Sequence, residues 1–258
     1  MAELFTQERR NEIARQLMAE GKVSAQALAR QYGVSAETIR KDLLWLEVQG
    51  VARKSYGGAT AAVPQVERSF FEKPSCRPQE KRRIAKAAAE EIPDGSIVIL
   101  DSGSTVLEVA RKLALRRDIA FFTNSLQTAQ LLIEKKCNVT MLGGSIRLSS
   151  QAATGMWTID QLSQLKADWA ILGASGFEGS DGPCVESMEE AQVKKAMIRA
   201  AKKRMLVADS SKSRCSATMR FAGWNEIDIL VTDEDLDPGL TRSLEKIPTL
   251  KIISGGRA

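Results

Sequence analysis

The sequence contains no histidine among its 258 residues. This absence removes the usual general base of Ser-His-Asp and Cys-His catalysis, together with the commonest protein ligand of zinc. The four cysteines, Cys76, Cys137, Cys184 and Cys215, lie far apart and form no CxxC pair. Because zinc fingers need closely spaced ligand pairs, we expect reduced, structural thiols, no metal site and no cofactor.

Long apolar runs are also missing. No run approaches the roughly 20 residues of a membrane-spanning helix, and the first ten residues, MAELFTQERR, lack the apolar core of a signal peptide. We therefore expect a cytoplasmic protein. The hydrophobic content of 43% and the length favour two unequal domains. The net charge of +5 permits a polyanionic partner without identifying one, since a basic balance usually reflects solvated surface.

The first 42 residues show the spacing of three short helices. An apolar pair at i and i+4 predicts a first helix over about residues 6–20. Ser24 is placed to cap a second helix that buries Leu28, and Gly33 can adopt the positive φ of a sharp turn after it. The arrangement over residues 23–42 indicates a helix-turn-helix.

Ser35 is expected to cap the third helix. Apolar residues at i, i+4 and i+7 of this helix face inward and leave the intervening polar side chains outward. A recognition helix contacts base edges with its first turns, where arginine pairs with guanine and hydroxyls or lysines contact phosphates. The predicted DNA contacts on this helix are Ser35, Glu37, Thr38, Arg40 and Lys41, with Arg40 and Lys41 as first choices.

Residues 51–59 follow with alternating apolar and basic residues and end in a Gly-Gly turn. A basic hairpin directly after a recognition helix can follow the DNA backbone or minor groove. We therefore assign Arg53, Lys54 and Tyr56 to a DNA-contacting wing. The alternative is an amphipathic three-helix surface with ordinary solvated charges, which the wing makes less favourable.

The segment VSAETIRKDLLWLEVQGVARKSYGGA, residues 34–59, resembles the signature of the DeoR family of bacterial transcriptional regulators, with its TIR-x-DL-x-x-LE core and terminal GGA. The resemblance implies a winged helix-turn-helix domain over residues 1–60. Two positions depart from it: Lys41, where the family more often has arginine, and Tyr56, where histidine usually precedes the glycines. Lysine keeps the positive charge of arginine but cannot form two parallel hydrogen bonds to one base. A direct contact between Lys41 and guanine is therefore less favoured.

Residues 61–77 lose periodicity and carry prolines, which predicts a linker. Residues 78–258 then alternate helix and strand patterns. This alternation predicts a Rossmann-like α/β domain with a mostly parallel sheet. The expected strands cover 97–100, 119–123, 139–142, 169–172, 205–208 and 227–231, and the expected helices cover 78–91 and 186–201 and begin at 105 and 126.

Ligands of such sheets bind at the carboxyl ends of the strands, where this chain has small and polar loops. Residues 101–105, DSGST, follow a strand and open a helix, so amides, a glycine and three hydroxyls can form a cradle for phosphate. The loop is neither a Walker loop nor GxGxxG, and Ser and Thr are also ordinary helix caps. Further polar strand ends lie at 123–125, 143–144, 173–176 and 209–212.

The motifs LDSGST, TNS, GG and ADSSK occur in the order seen in the DeoR-family effector domain, which is similar in fold to ribose-5-phosphate isomerase. The resemblance implies a phosphate held by residues 102–105 and a sugar lined by residues 123–124. Asp101 could orient the loop or accept a sugar hydroxyl. The full effector-binding prediction is Asp101, Ser102, Gly103, Ser104, Thr105, Thr123, Asn124, Gly143, Gly144, Lys194 and Lys212.

The resemblance to ribose-5-phosphate isomerase also distinguishes an enzyme from a sensor. The isomerase family needs carboxylates to move a proton between adjacent sugar carbons. Its acidic DGADE segment corresponds to residues 172–176 here, which carry no acid, and Lys194 falls where the general-base glutamate stands. The alternative for Lys194 is a solvated helix charge. We expect a non-enzymatic regulator, a homo-oligomer on symmetric operator half-sites, and repression relieved by a phosphorylated sugar. The alternatives are a sugar-phosphate isomerase with an accessory DNA-binding domain and a constitutive architectural DNA binder.

Overall fold

The structure is a computed structural model, and the chain divides into two compact units, Met1–Arg68 and Ser69–Ala258. None of the described helices is long and apolar enough to cross a membrane. The predicted linker lies almost wholly outside the described residues, so its boundaries stay predictions. The residues described are 6–20, 22–48, 51–55, 57–61, 77–177, 181–215 and 217–256.

The amino-terminal unit contains three helices and a small antiparallel sheet of strand order β1-β3-β2. The three predicted helices and the predicted hairpin after them are confirmed, whereas β1, only three residues long, was not predicted because it is too short to show a period of two. The elements are α1 (Thr6–Glu20), β1 (Lys22–Ser24), α2 (Ala25–Tyr32), α3 (Ala36–Val48), β2 (Ala52–Ser55) and β3 (Gly58–Ala61).

The turn between α2 and α3 forms as the sequence predicts. Gly33 adopts a left-handed conformation with φ of 65°, and Leu28 of α2 is buried. The Ser35 hydroxyl accepts a hydrogen bond from the Thr38 amide at 3.1 Å and so caps α3. Ser24 occupies the capping position of α2 but its side chain makes no capping hydrogen bond, so that part of the prediction is wrong.

The larger unit is built around a seven-stranded sheet of order β14-β13-β11-β9-β4-β5-β6. All six pairings between neighbouring strands are parallel. The helices are α4 (Pro78–Glu90), α5 (Ser104–Leu113), α6 (Leu126–Glu134), α7 (Met156–Ser163), α8 (Met188–Ala200) and α9 (Pro238–Leu244). The sheet strands are β4 (Ile97–Leu100), β5 (Ala120–Thr123), β6 (Asn138–Met141), β9 (Ala167–Leu172), β11 (Ala201–Val207), β13 (Ile229–Thr232) and β14 (Lys251–Ser254).

Both faces of this sheet are covered by helices. Val98 and Leu100 of β4 pack in one apolar cluster with side chains of α4, α5 and α6, whereas Ile99 packs in a second cluster with α7 and α8. Alternate side chains of a strand point to opposite faces of the sheet. An uninterrupted run of apolar residues in β4 therefore contributes side chains to the apolar clusters on both faces. The fold-class prediction is confirmed, and the carboxyl ends of all seven strands lie at one edge.

Several elements of the larger unit escape the sequence analysis. The hairpin β7 (Ser145–Arg147) and β8 (Ala152–Thr154) follows β6, and the pair β10 (Cys184–Val185) and β12 (Met219–Arg220) lies outside the main sheet. Their strands have two or three residues, too few to show alternation. The helices α7 and α9 and the edge strand β14 were likewise not predicted.

Candidate functional site

The first turns of α3 present polar side chains to solvent. Glu37, Arg40 and Lys41 are exposed, and Thr38 is half-buried. The Arg40 Nη1 atom lies 3.0 Å from the Glu37 Oε2 atom, with both side chains about two thirds exposed (67% and 64%). An exposed ion pair of this kind contributes little to stability, so Arg40 can leave Glu37 for another partner at small cost.

A buried ion cluster fixes α3 against α1. The Asp42 carboxylate accepts from Arg9 Nε at 2.7 Å and from Arg10 Nε at 2.8 Å, and Asp42 is 1% exposed. The Arg10 guanidinium also stacks on the Trp45 ring at 4.8 Å. Sequence analysis missed this cluster, although Asp42 falls three residues after Ile39 on the buried stripe, where a charge needs a partner.

The wing is held to the recognition helix at its base. The Lys54 amide donates to Glu47 Oε1 of α3 at 2.8 Å, while the Arg53 and Lys54 side chains are exposed. At Gly58, an added Cβ would lie 1.9 Å from the Val23 carbonyl oxygen of the paired strand β1, so only glycine fits. Tyr56 lies outside the described residues.

The predicted phosphate cradle lies at the start of α5. Gly103 takes the capping position with φ of 130°, a conformation that favours glycine, and its carbonyl accepts from the Leu107 amide at 2.9 Å. Ser104 is buried, whereas Ser102, Gly103 and Thr105 are half-buried. The first amides of a helix lack intrahelical partners and carry partial positive charge, which makes this turn a suitable place for an anion.

Asp101 and Lys194 form an ion pair directly beside this turn. The Lys194 Nζ atom contacts Asp101 Oδ2 and also donates to the Gly173 carbonyl at 3.0 Å. The Gly173 amide donates to Asp101 Oδ2 at 3.0 Å, which ties the ends of β4 and β9 together. Both charged residues are at most 4% exposed, so the solvated-charge interpretation of Lys194 is wrong.

Thr123 and Asn124 lie at the end of β5, the strand next to β4. Both are buried, and the Thr123 hydroxyl accepts from the Ser125 amide at 3.1 Å. The Asn124 Nδ2 atom donates to the Ala153 carbonyl at 3.0 Å. The Asn124 Oδ1 atom is buried and has no hydrogen-bond partner among the described residues. A buried acceptor without a hydrogen bond costs free energy of folding, so this oxygen could accept a hydrogen bond from a donor group.

Gly143 and Gly144 follow β6 and pack against α7. The Gly143 amide donates to Gln161 Oε1 at 3.1 Å, and its carbonyl accepts from Thr158 Oγ1 at 2.7 Å. Gly144 has φ of 152°, and an added Cβ would lie 2.2 Å from Thr158 Oγ1. Close packing therefore explains the glycine at 144, whereas at Gly143 an added Cβ would meet only an ordinary contact, 3.6 Å from Gln161 Nε2.

Lys212 lies in a short 3-10 helix, Ser210–Arg214, after β11. The lysine is half-buried, and its carbonyl accepts from the Phe177 amide at 2.9 Å. Arg77, which sequence analysis missed, reaches the same loop: its Nη1 atom lies 2.9 Å from Ser210 Oγ and 3.4 Å from Asp233 Oδ2. Arg77 and Ser210 line a cavity of about 560 Å³ at the carboxyl ends of β11 and β13.

The described cysteines are Cys137, Cys184 and Cys215, and all three are free thiols. Burial raises the pKa of the Cys184 thiol, which keeps it protonated and poorly nucleophilic near neutral pH. Cys76 lies outside the described residues.

A winged helix-turn-helix joined to a separate doubly wound α/β unit defines the class: a DNA-binding transcriptional regulator with a sensor unit. Residues 9–65 match the family model of the DeoR-like helix-turn-helix domain, and residues 77–234 match that of the DeoR C terminal sensor domain. The chain belongs to the DeoR family of transcriptional regulators.

Curated relatives match over most of their length. The chain is 34% identical to the putative aga operon transcriptional repressor of Escherichia coli O157:H7, over 97% of this chain and 94% of that protein. It is 32% identical to the glycerol-3-phosphate regulon repressor of Escherichia coli K12, over 88% and 90%. It is also 32% identical to the transcriptional repressor GlcR of Bacillus subtilis, over 89% of each.

Among solved structures, the chain is similar to D-ribose-5-phosphate isomerase in complex with phospho-erythronic acid. The identity is 20% and the TM-score 0.40, covering 52% of this chain and 53% of the isomerase. The fold assignment itself rests on the parallel sheet order and on the two family matches.

Proposed function

We propose that this protein is a repressor of a carbohydrate operon whose operator affinity is controlled by a phosphorylated sugar or a related metabolite. The observation that carries the proposal is the glycine-capped start of α5 beside the buried Asp101–Lys194 pair, at the strand-end edge of the sensor unit. The names of the relatives, which include repressors of the aga operon and of a glycerol-3-phosphate regulon, support the same role.

In this proposal the effector phosphate binds the amides at the start of α5 and the hydroxyls of Ser102, Ser104 and Thr105. The half-buried Lys212 adds a positive charge from the loop after β11. The unpartnered Asn124 Oδ1 atom accepts a hydrogen bond from an effector hydroxyl, beside Thr123. Gly144 acts through packing on α7, and the backbone of Gly143 is held by Gln161 and Thr158 of the same helix.

We infer that the sensor unit binds its ligand without turnover. A sugar isomerase needs a carboxylate that can take a proton from carbon. Here the Asp101 Oδ2 atom is already engaged by Lys194 and by the Gly173 amide, so this oxygen is not free to approach a substrate carbon. Isomerisation of pentose or hexose phosphates by the purified protein, lost on changing a carboxylate, would contradict this inference.

On the DNA side, we propose that α3 enters the major groove and that the wing contacts the backbone. A homo-oligomer would place two such modules on symmetric half-sites, and the effector would act by binding one arrangement of the modules better than the other. A regulator of operator DNA works where the chromosome is, so we place the protein in the cytoplasm.

The function is tested by a thermal-shift screen of sugar phosphates against the full chain, followed by operator release with the hits. A ligand at 100 times its dissociation constant stabilises the folded state by about 2.7 kcal/mol. Thr105→Asp should remove this stabilisation and the operator release, because a carboxylate at the start of α5 repels phosphate, while operator binding without ligand persists.

The matched control is Thr105→Asn, which has the same shape without the charge and should keep most of the ligand response. An acidic residue in the first turn of a helix is itself favourable, so Thr105→Asp should not unfold the unit. Equal ligand responses of the two variants would contradict the placement of the phosphate.

Arg40 and Lys54 are expected to differ in what they recognise. Arg40→Ala should cost about 1–3 kcal/mol of operator binding and relax base preference at one position, because its fork pairs with a base. Lys54→Ala should weaken all DNA sequences alike and lower the slope of log affinity against log salt by about 0.9, as loss of one phosphate contact does. Fluorescence anisotropy on operator variants over a salt series measures both. Indistinguishable effects would refute the division of roles.

A further inference from the structure

The hairpin of β7 and β8 and the helix that follows it carry an exposed apolar surface. Leu148, in the turn after β7, is 88% exposed, and Met156 and Trp157, in the first turn of α7, are 66% and 78% exposed. Ile146 of β7 is exposed as well. Single exposed apolar side chains are common, but a group of large ones on one part of a surface is typical of an interaction site. We call these four residues the hairpin patch.

Hydrogen bonds fix the hairpin patch to the larger unit. Ile146 pairs with Ala153 in the hairpin, and the Ala153 amide donates to the Asn124 carbonyl at the end of β5 at 2.8 Å. The first turn of α7 is bound to the segment before β7, because Thr158 Oγ1 donates to the Gly143 carbonyl at 2.7 Å. The patch is therefore a built part of the strand-end edge of the sheet.

β7 is the outer strand of its hairpin. β8 is buried along its length, and its first residue, Ala152, forms a bridge to Ser125 after β5. On its other side β8 pairs with β7, and within the described residues β7 pairs with β8 alone. An edge strand offers backbone donors and acceptors to a strand of another chain. The hairpin patch thus lies along an edge that is open to strand pairing.

We propose that the hairpin patch is the interface through which two copies of this chain associate, each copy presenting the same surface to the other about a two-fold axis. The proposal rests on the proposed function in one respect, since symmetric operator half-sites call for two DNA-binding units. A two-fold axis places an edge strand antiparallel to its own copy, so β7 of one chain can pair with β7 of the other.

The exposed area of the hairpin patch is that of an interface between proteins. A standard interface buries about 800 Å² per partner, of which about 57% is apolar. At the exposed fractions given above, the four side chains present on the order of 600 Å², which is enough for the apolar part of such an interface. Trp157 contributes the largest share of this area, and tryptophan is among the residues that dominate binding energy at interfaces.

Both signs of charge border the hairpin patch. Arg147 follows Ile146 and lies 3.7 Å from Glu190 of α8. The exposed Asp160 lies one helical turn after Trp157. A surface bordered by one sign would repel its own copy, whereas a two-fold arrangement of mixed signs can bring opposite charges together. The charge pattern therefore favours a second copy of this chain over a strongly acidic or basic partner.

The experiment measures the mass of the full chain, without DNA or ligand, by size-exclusion chromatography with multi-angle light scattering over a series of protein concentrations. The wild type should have the mass of at least two chains of 28.2 kDa. Trp157→Glu should raise the dissociation constant about 30-fold or more, because it places a charge at the centre of an apolar interface. Leu148→Asp should act in the same direction, and far-ultraviolet circular dichroism checks that both variants fold.

Leu115→Glu is the matched control. Leu115 is 75% exposed and lies just after α5, at the opposite edge of the sheet, so its substitution should leave the mass unchanged. The inference is overturned if the wild type is a single chain at every concentration, which would assign the patch to a different partner. It is equally overturned if folded Trp157→Glu and Leu148→Asp proteins keep the wild-type mass, or if Leu115→Glu lowers the mass as much as they do. Failure of the proposed function is identified separately, by a wild type that no sugar phosphate stabilises, whatever its mass.

Discussion

Asp42→Ala should destabilise the amino-terminal unit by about 3–5 kcal/mol and abolish operator binding. The substitution leaves Arg9, which is 7% exposed, as a buried charge without its carboxylate, and it also releases Arg10. Removing one partner of a buried ion pair costs far more than the pair contributes, because the remaining charge stays desolvated. Since the same carboxylate fixes α3 on α1, loss of the pair also frees the recognition helix.

The measurement is urea denaturation followed by far-ultraviolet circular dichroism, with operator binding by fluorescence anisotropy. Glu37→Ala is the control for stability: it breaks the exposed pair with Arg40 and should cost no more than about 1 kcal/mol. An Asp42→Ala protein that unfolds at the wild-type urea concentration would show that the cluster has no stabilising role.

Lys194→Met should destabilise the sensor unit by about 3–5 kcal/mol and abolish the response to effector. Asp101, 1% exposed, would lose its counter-charge beside the cradle, and the Gly173 carbonyl would lose a donor. A bare carboxylate beside the start of α5 would also repel a phosphate. The neighbouring exposed Lys195→Met serves as control and should change stability by no more than about 0.5 kcal/mol.

A second substitution separates stability from ligand binding. Lys194→Met combined with Asp101→Asn removes the unpaired charge but keeps an oxygen for the Gly173 amide, so much of the lost stability should return. The effector response should not return, because the Lys194 ammonium group, which the sequence predicts as an effector contact, is still missing. The finding that would count against this account is a double variant as unstable as Lys194→Met, since the cost would then not come from the unpaired charge.

The sequence predicts the local elements that carry function because their determinants lie within a few residues. The i, i+4 spacing of the apolar residues in α3, the cap at Ser35 and the positive φ of Gly33 are all short-range features. Likewise, the alternation of strands and helices after residue 78 is enough to predict a parallel sheet, and a parallel sheet brings the strand-end loops to one edge. For this reason Asp101 and Asn124 could be assigned to one site before any distance was known.

The tertiary structure decides which charged groups pair, because the partners are far apart in the chain. Asp42 is 33 residues from Arg9, and Asp101 is 93 residues from Lys194. The hydrophobic periodicity predicts that a residue faces the core, but it does not predict which residue of another helix or strand contacts it. The same holds for Arg147 and Glu190, which meet only because a hairpin of three-residue strands folds back onto α8.

The sequence by itself thus determined a winged helix-turn-helix, a parallel α/β sensor unit and an edge of that sheet at which the strands end in polar residues. Only the tertiary structure decided that Lys194 neutralises Asp101, that Asn124 keeps an unmet acceptor, and that Asp42 braces the recognition helix. The physical reason is that helix and strand patterns depend on local backbone geometry, whereas buried charges are satisfied by whichever distant partner packing brings within hydrogen-bond distance.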